Sequence, residues 1–384
     1  MQFERLQTNP KFDRANRMVE RIANQIVRRW DDTLGAARLG GRKATYDDSA
    51  FEFEGGSKDQ LRRKHYDKSL RLLWKAEEHA SWLSFRDCSS AERQLLAMAS
   101  DNMTEEEKAA RERLCLPEYK ELLNREYTQR EKEAIVSILA AIGHGEAYAW
   151  MVSTEVLGLV KSTGARAALT MQVFEEAKHF VVLRELLQAF DVPIRRQSAW
   201  EYLLLENVYK AQGLEKLFGM NVVVEGIALS LFGLMSSYPG LEVLRRFHID
   251  ESRHTALPGN YFSEFPLSTW QKHNPMARLQ RLKLILPALA LIPCLEEDLA
   301  VLGIDAFEFG GSALRKLAHL SERNGFYLPV SGPQLLNGLN GLFNFYCKAS
   351  RPEHSFRNFM ESESTVGAEE LAVEREVFAG LAMP

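Results

Sequence analysis

The chain has 384 residues, 46% hydrophobic and 26% charged, with a formal net charge of −4 and a pI near 6.2. That balance suits a soluble globular protein large enough for one big core or two domains, and argues against a nucleic-acid surface. Four cysteines, Cys88, Cys115, Cys294 and Cys347, lie far apart with no CxxC pair, which suggests neither a disulfide framework nor a zinc knuckle and fits a reducing cytoplasm.

The N-terminal Met-Gln-Phe-Glu-Arg-Leu-Gln lacks the apolar segment of a signal peptide. A helix is expected from Arg14 to Trp30, then a Gly-rich polar loop or arm from Leu34 to Lys58. Tyr66 to Phe85 reads as a helix with Leu70, Leu73, Trp74 and Trp82 as its apolar stripe, and Ser89 with Glu92 and Thr104 with Glu107 as capping signals beyond it. Four long helices follow, about Gln129 to Val160, Ala165 to Phe190, Gly213 to Ser236 and Leu241 to Leu257, with a shorter one near Trp200 to Lys210 joining the halves. After Pro258-Gly259 come helices near Met276 to Leu302, Phe307 to Asn324 and Pro333 to Lys348, then a charged tail. No strand pattern or solenoid repeat intervenes. The reading is an all-α, four-helix core at 126–262, flanked by helical extensions at 1–125 and 263–384, the whole forming one integrated domain. Leu284 to Leu295 is too short to span a bilayer, and Leu217 to Leu241, interrupted by Glu225, Asn221 and a turn, reads as a buried helix.

Within the core the chain twice repeats one order: a lone glutamate, a return, then Glu-x-x-His. The first set is Glu146 with Glu176 and His179; the second is Glu225 with Glu251 and His254. Residues three apart share a helix face, so each Glu-x-x-His can offer an oxygen and a nitrogen to one cavity. Glu146 and Glu176 are 30 residues apart with their midpoint at Lys161, beside Ser162, Thr163 and Gly164. Glu225 and Glu251 are 26 apart with their midpoint at Tyr238, inside Ser236-Ser237-Tyr238-Pro239-Gly240. Two hairpins turning there level four carboxylates and two imidazoles in the middle of a bundle.

Glu225 carries the most physical weight. It sits among Phe218, Val222, Ala228, Leu229 and Phe232, and burying a carboxylate there costs several kcal/mol unless a cation or proton compensates it. Glu155 competes with Glu146 but points about 180° away at roughly 100° per residue, and His144 also points away as a structural residue. Glu175 and Asp250 stand immediately before the two Glu-x-x-His glutamates and, with Arg253 nearby, are candidates for supporting the histidines, since metal-bound imidazoles give their free N–H to a carboxylate or carbonyl. The alternative for these acids is a solvated surface. His248, three residues before Glu251, is a supporting or packing histidine or an additional ligand. Oxygen ligands with two imidazoles and no thiolate suit iron or manganese. Apolar neighbours Trp150, Phe174, Phe180, Leu183, Leu229 and Phe232 are expected to shape a cavity.

The set Glu146, Glu175-Glu176-Ala177-Lys178-His179, Glu225 and Asp250-Glu251-Ser252-Arg253-His254 resembles the ferritin-like di-iron carboxylate superfamily, in the branch shared by ribonucleotide reductase small subunits and bacterial multicomponent monooxygenase hydroxylases. The ligand core covers about 125 residues, and Leu73-Trp74-Lys75-Ala76-Glu77-Glu78 adds weaker similarity upstream. The resemblance implies a ferritin-like bundle holding two iron ions (Fe/Fe favoured over Mn/Fe), with Glu176 and Glu251 bridging, Glu146 and Glu225 terminal, and His179 and His254 each on one metal. It also implies an O2-activating oxidase or oxygenase using O2 as co-substrate on a small or medium organic substrate, with electrons from an external donor such as a reductase or ferredoxin, or from a reducing substrate; a homodimer is compatible with it. Leu183 stands where the reductase subunits carry their radical tyrosine, and Leu229 where the hydrocarbon monooxygenases carry a threonine. A ferroxidase or iron-handling protein, a reductase-like radical protein and a metal-free scaffold are the alternatives.

Overall fold

The computed structural model describes residues 6–36, 117–158, 163–260 and 268–361. The expected arm at 34–58 falls almost wholly outside these residues. The helix at 66–85, the capping signals near 89 and 104, and the first turn's midpoint also lie outside them. Every described element is helical: α1 (Pro10–Ala36), α2 (Pro117–Glu126), α3 (Gln129–Leu157), α4 (Thr163–Ala189), α5 (Ala199–Lys210), α6 (Leu214–Met235), α7 (Leu244–Asn260), α8 (Thr269–His273), α9 (Pro275–Val301), α10 (Ala306–Arg323) and α11 (Gly332–Ser350). The fold is all-α.

Local chemistry explains the boundaries. Thr128 opens α3 with a capping box to Glu131, and Ser198 opens α5 with one to Glu201. Asp305 caps α10 by accepting from the backbone N–H groups of Phe307 and Glu308. The turn between α6 and α7 falls in Ser236 to Gly240, where Gly240 takes φ +80°, a conformation that favours glycine. Two helices, α2 and α8, were not expected from the sequence. α7 continues through Pro258 to Asn260 rather than stopping at Leu257.

Helices α3 and α4 pair as one hairpin and α6 and α7 as the other, with α3 against α6 and α4 against α7. Their interior is layered. One apolar cluster takes Tyr148, Val152 and Val156 of α3 with Phe218 and Val222 of α6; the other takes Ile135, Ile138 and Leu139 of α3 with Leu231, Phe232 and Met235 of α6. Glu146 and Glu225 lie in the layer between them. Helices α9 and α10 pack against the outer side of α3 and α6, and both clusters draw residues from them. Helices α3 and α6 are long and apolar enough to cross a membrane by length and composition, and both are mostly buried among the other helices.

Candidate metal centre

Six side chains from four helices meet in the polar layer. Ligand atoms of Glu146, Glu176, His179 and Glu251 lie within 4.8 Å of one another, as do those of Glu176, Glu225, Glu251 and His254. The two groups share Glu176 and Glu251. All six residues are buried, none more than 2% exposed.

Each histidine turns Nδ1 inward. His179 Nδ1 lies 3.1 Å from Glu146 Oε2, 3.0 Å from Glu251 Oε1 and 3.7 Å from Glu176 Oε2. His254 Nδ1 lies 3.0 Å from Glu176 Oε1 and 3.1 Å from Glu251 Oε2. Glu176 and Glu251 thus offer one oxygen to each imidazole, while Glu146 meets only His179. Glu225 is reached by Gln172, whose Nε2 donates to Glu225 Oε1 at 3.1 Å and to Glu176 Oε1 at 3.2 Å.

Each histidine turns Nε2 outward to an acid of the opposite hairpin. His179 Nε2 lies 3.1 Å from Asp250 Oδ2, and His254 Nε2 lies 3.0 Å from Glu175 Oε2. Arg253 joins both acids, donating to Glu175 Oε1 at 2.5 Å and to Asp250 Oδ1. Glu175 is buried, which sets aside the solvated-surface alternative for it.

The electrostatics follow from this crowding. Burial, then the neighbouring glutamates, push Glu146 and Glu225 well above the usual carboxylate value. Burial would also raise Glu176 and Glu251, but the facing imidazoles outweigh it and hold both below the usual value. Burial would lower His179 and His254; hydrogen bonds and charge from the surrounding carboxylates reverse that and raise both. For Asp250, Arg253 and His179 outweigh burial and depress the carboxyl.

The remaining candidates fall elsewhere. His248 stands outside both groups: its Nδ1 contacts the carbonyl oxygen of Leu229 at 2.7 Å, and burial pushes its pKa down to about 4. His144 Nδ1 lies 3.1 Å from Glu201 Oε2, and Glu155 pairs with Lys216, so both are occupied away from the centre. Trp150 corrects the expected cavity lining. It is 41% exposed, because its helix position turns it outward from the bundle. Phe180, Leu183, Leu229 and Phe232 are buried core residues.

Three features escaped the sequence reading. Phe247 stacks on His179 with ring centroids 4.2 Å apart. Gln172 and Asn221 stand one turn before Glu176 and Glu225, and Asn221 Nδ2 donates to Gln172 Oε1 and to the carbonyl of His254, both at 3.0 Å. The i−4 spacing from each glutamate was the available signal. The third is a π-helical stretch, Phe218–Val224, that ends at Glu225; such widened turns are frequent at functional sites.

The donor set fits a pair of divalent cations. Glu176 Oε2 and Glu225 Oε2 are buried without a hydrogen-bond donor, although buried polar atoms ordinarily find one. Four carboxylates and two imidazoles, without thiolate, match the preference of hard or borderline metals such as iron and manganese. No known protein family, curated protein or solved structure matches the chain.

Proposed function

We propose that the protein is a non-haem di-iron oxidoreductase, an O2-activating oxidase or oxygenase acting on a small or medium organic substrate. The observation that carries this reading is the pair of overlapping buried ligand groups sharing Glu176 and Glu251. A site with two separate groups would hold two independent metals; shared carboxylates couple them. When bound, a coupled iron pair supplies two electrons to O2 from adjacent centres. Glu146, His179, Glu225 and His254 would complete the ligand set around the shared pair.

The protein residues supply orientation, proton control and dryness. Asp250 and Glu175 accept at the Nε2 positions, which fixes the tautomer that leaves each Nδ1 free to ligate and makes the imidazole more basic. Gln172 fixes the rotamers of Glu176 and Glu225 through its amide, and Asn221 fixes Gln172. Glu225 and Glu146, with raised pKa values, can hold a proton at their carboxyls in the metal-free protein and surrender it on loading. Phe247 and Phe232, stacked on and edge-on to His179, exclude water from that side.

The deciding experiment is anaerobic reconstitution with Fe(II), iron counting, then admission of O2 while uptake and the near-ultraviolet spectrum are followed. Two irons per chain and stoichiometric O2 uptake are expected, with uptake sustained by an external reductant. Fewer than two irons, or full retention of iron in Glu225→Ala, would defeat the di-metal reading. Continued accumulation of a ferric mineral would assign the protein to iron storage instead.

A further inference from the structure

We propose that α1 is an interfacial helix that seats the protein on an anionic lipid bilayer, its apolar stripe at the boundary of headgroups and acyl chains and its arginines on the lipid phosphates. The proposal is independent of the metal centre.

Helix α1 packs inside out. Its contacts with the rest of the protein are largely polar: Asp13 Oδ2 accepts from Thr8 Oγ1 at 2.7 Å, Asn16 Nδ2 donates to Tyr346 Oη at 2.9 Å and to the carbonyl of Pro293 at 3.3 Å, and Glu20 Oε1 accepts from the backbone N–H of Ala199 at 2.7 Å. Its large apolar side chains face outward instead. Met18, Val19, Ile22, Ile26 and Trp30 are 45–65% exposed. At roughly 100° per residue these five cover a sector about 120° wide. A surface helix of a globular protein ordinarily turns such a stripe to the core, and a contiguous exposed apolar patch marks an interaction surface.

Charge decides the occupant. Residues 10–30 hold six Lys and Arg against two acids, in a chain whose formal charge is −4. The two acids, Asp13 and Glu20, are turned inward in the contacts just given. Arg14, Arg21 and Arg29 are exposed, and none pairs with an acid among the described residues. They form a row about 80° wide along one edge of the apolar stripe. Apolar groups ending in a tryptophan and edged by arginines suit an anionic bilayer: the apolar side chains enter the headgroup–acyl boundary while the guanidinium groups meet phosphates. The remainder of the chain is net acidic, so an anionic surface repels it and turns α1 toward the lipid. A second copy of the chain fits less well, because no outward acid on residues 10–30 would receive the arginines of either copy.

The test is co-sedimentation of the full chain as purified with vesicles of phosphatidylcholine alone, or with about 30 mol% phosphatidylserine, at about 50 and 500 mM NaCl. Binding is expected on the serine-containing vesicles, at least tenfold weaker on phosphatidylcholine alone, and weaker at the higher salt, which screens the charges. Arg14→Gln, Arg21→Gln and Arg29→Gln should each weaken it about fivefold, the effect of one cation near an anionic surface. Ile22→Ser and Ile26→Ser should each weaken it roughly tenfold. Lys120→Gln, at an exposed cation on α2, should leave it unchanged. All six positions are exposed, so melting temperatures should stay at the parent's and separate these losses from unfolding. Absence of binding to the serine-containing vesicles, equal binding to both compositions, or binding untouched by the arginine and isoleucine substitutions would overturn the proposal. So would a concentration-dependent dimer in sedimentation velocity that Ile26→Ser abolishes, which would assign the face to a second copy.

Discussion

His254 Nε2 lies 3.0 Å from Glu175 Oε2, so the histidine of the second hairpin is held by an acid of the first. His179 and Asp250 make the reciprocal contact, and Arg253 joins the two acids. The crossing means that neither hairpin completes its own imidazole's support; the ligand geometry depends on the two hairpins being docked. Outer carboxylates of this type are commonly worth about 10- to 100-fold in metal affinity. Glu175→Ala and Asp250→Ala are each expected to weaken Fe(II) binding within that range in chelator competition. Arg253→Gln, by loosening both acids, should weaken both metals together. Unchanged affinity in Glu175→Ala would show that the crossed contact does not orient His254.

Proton uptake should trade against metal. Glu146, Glu225, His179 and His254 all have folded pKa values raised above their ordinary ones, mainly by burial for the glutamates and by facing carboxylates, against burial, for the histidines. A group with a raised folded pKa contributes stability fully below its unfolded value and loses that contribution as pH rises through the folded one. Depressed Glu176 and Glu251 contribute above about 4.5, the ordinary glutamate value, and lose that contribution only in acid. His248, depressed to about 4, adds stability only up to its ordinary 6.5, so above about pH 7 the raised groups set the trend, and the metal-free protein should lose stability as pH rises from 7 toward 8.5. Bound divalent cations replace those protons, so the melting-temperature gap between loaded and metal-free protein should widen with pH and metal affinity should fall in acid. Melting curves at pH 5.5, 7 and 8.5 with and without metal check this; a gap that narrows with pH would contradict it.

A second buried ionic group has the opposite sign. Glu201 is held down to about 2: burial would raise it, but Arg195 and His144 outweigh burial. Its stabilisation is complete above the ordinary 4.5 and is lost as pH falls from there toward 2. Because Glu201 also closes the capping box of α5, Glu201→Gln is expected to cost about 2–3 kcal/mol at pH 7. That cost should shrink below pH 4, in urea titrations at each pH.

The helical class and the ligand order were legible because both are periodic. Glu176 and His179 share a face by spacing alone, and the Ser-Ser-Tyr-Pro-Gly turn with Gly240 at φ +80° fixes where the second hairpin reverses. Gln172 and Asn221 were less visible, because a polar residue one turn from a glutamate is ordinary until tertiary packing buries it. The exchange of outer acids between hairpins was not legible at all. Glu175 precedes Glu176 in sequence, yet its partner His254 is 79 residues away, and only docking decides that pairing. Trp150 was misplaced for the same kind of reason: its apolar character suggested a wall, and its position on α3 turned it to solvent.

Two glycines separate close packing from mere helix content. A Cβ at Gly311 on α10 would lie 1.9 Å from the carbonyl oxygen of Phe359, a backbone atom that cannot rotate aside. A Cβ at Gly338 on α11 meets nothing within 4 Å. Both sit inside helices, where alanine is favoured over glycine by roughly 0.5–1 kcal/mol. Gly338→Ala should therefore stabilise the protein by about that amount. Gly311→Ala must push α10 from the chain at Phe359, a buried ring packed against Phe307 and Phe343, and overpacking of this kind typically costs about 1–3 kcal/mol or more. Urea midpoints of the two variants should move in opposite directions from the parent. A Gly311→Ala midpoint equal to that of Gly338→Ala would mean that the 359 segment is not seated on α10.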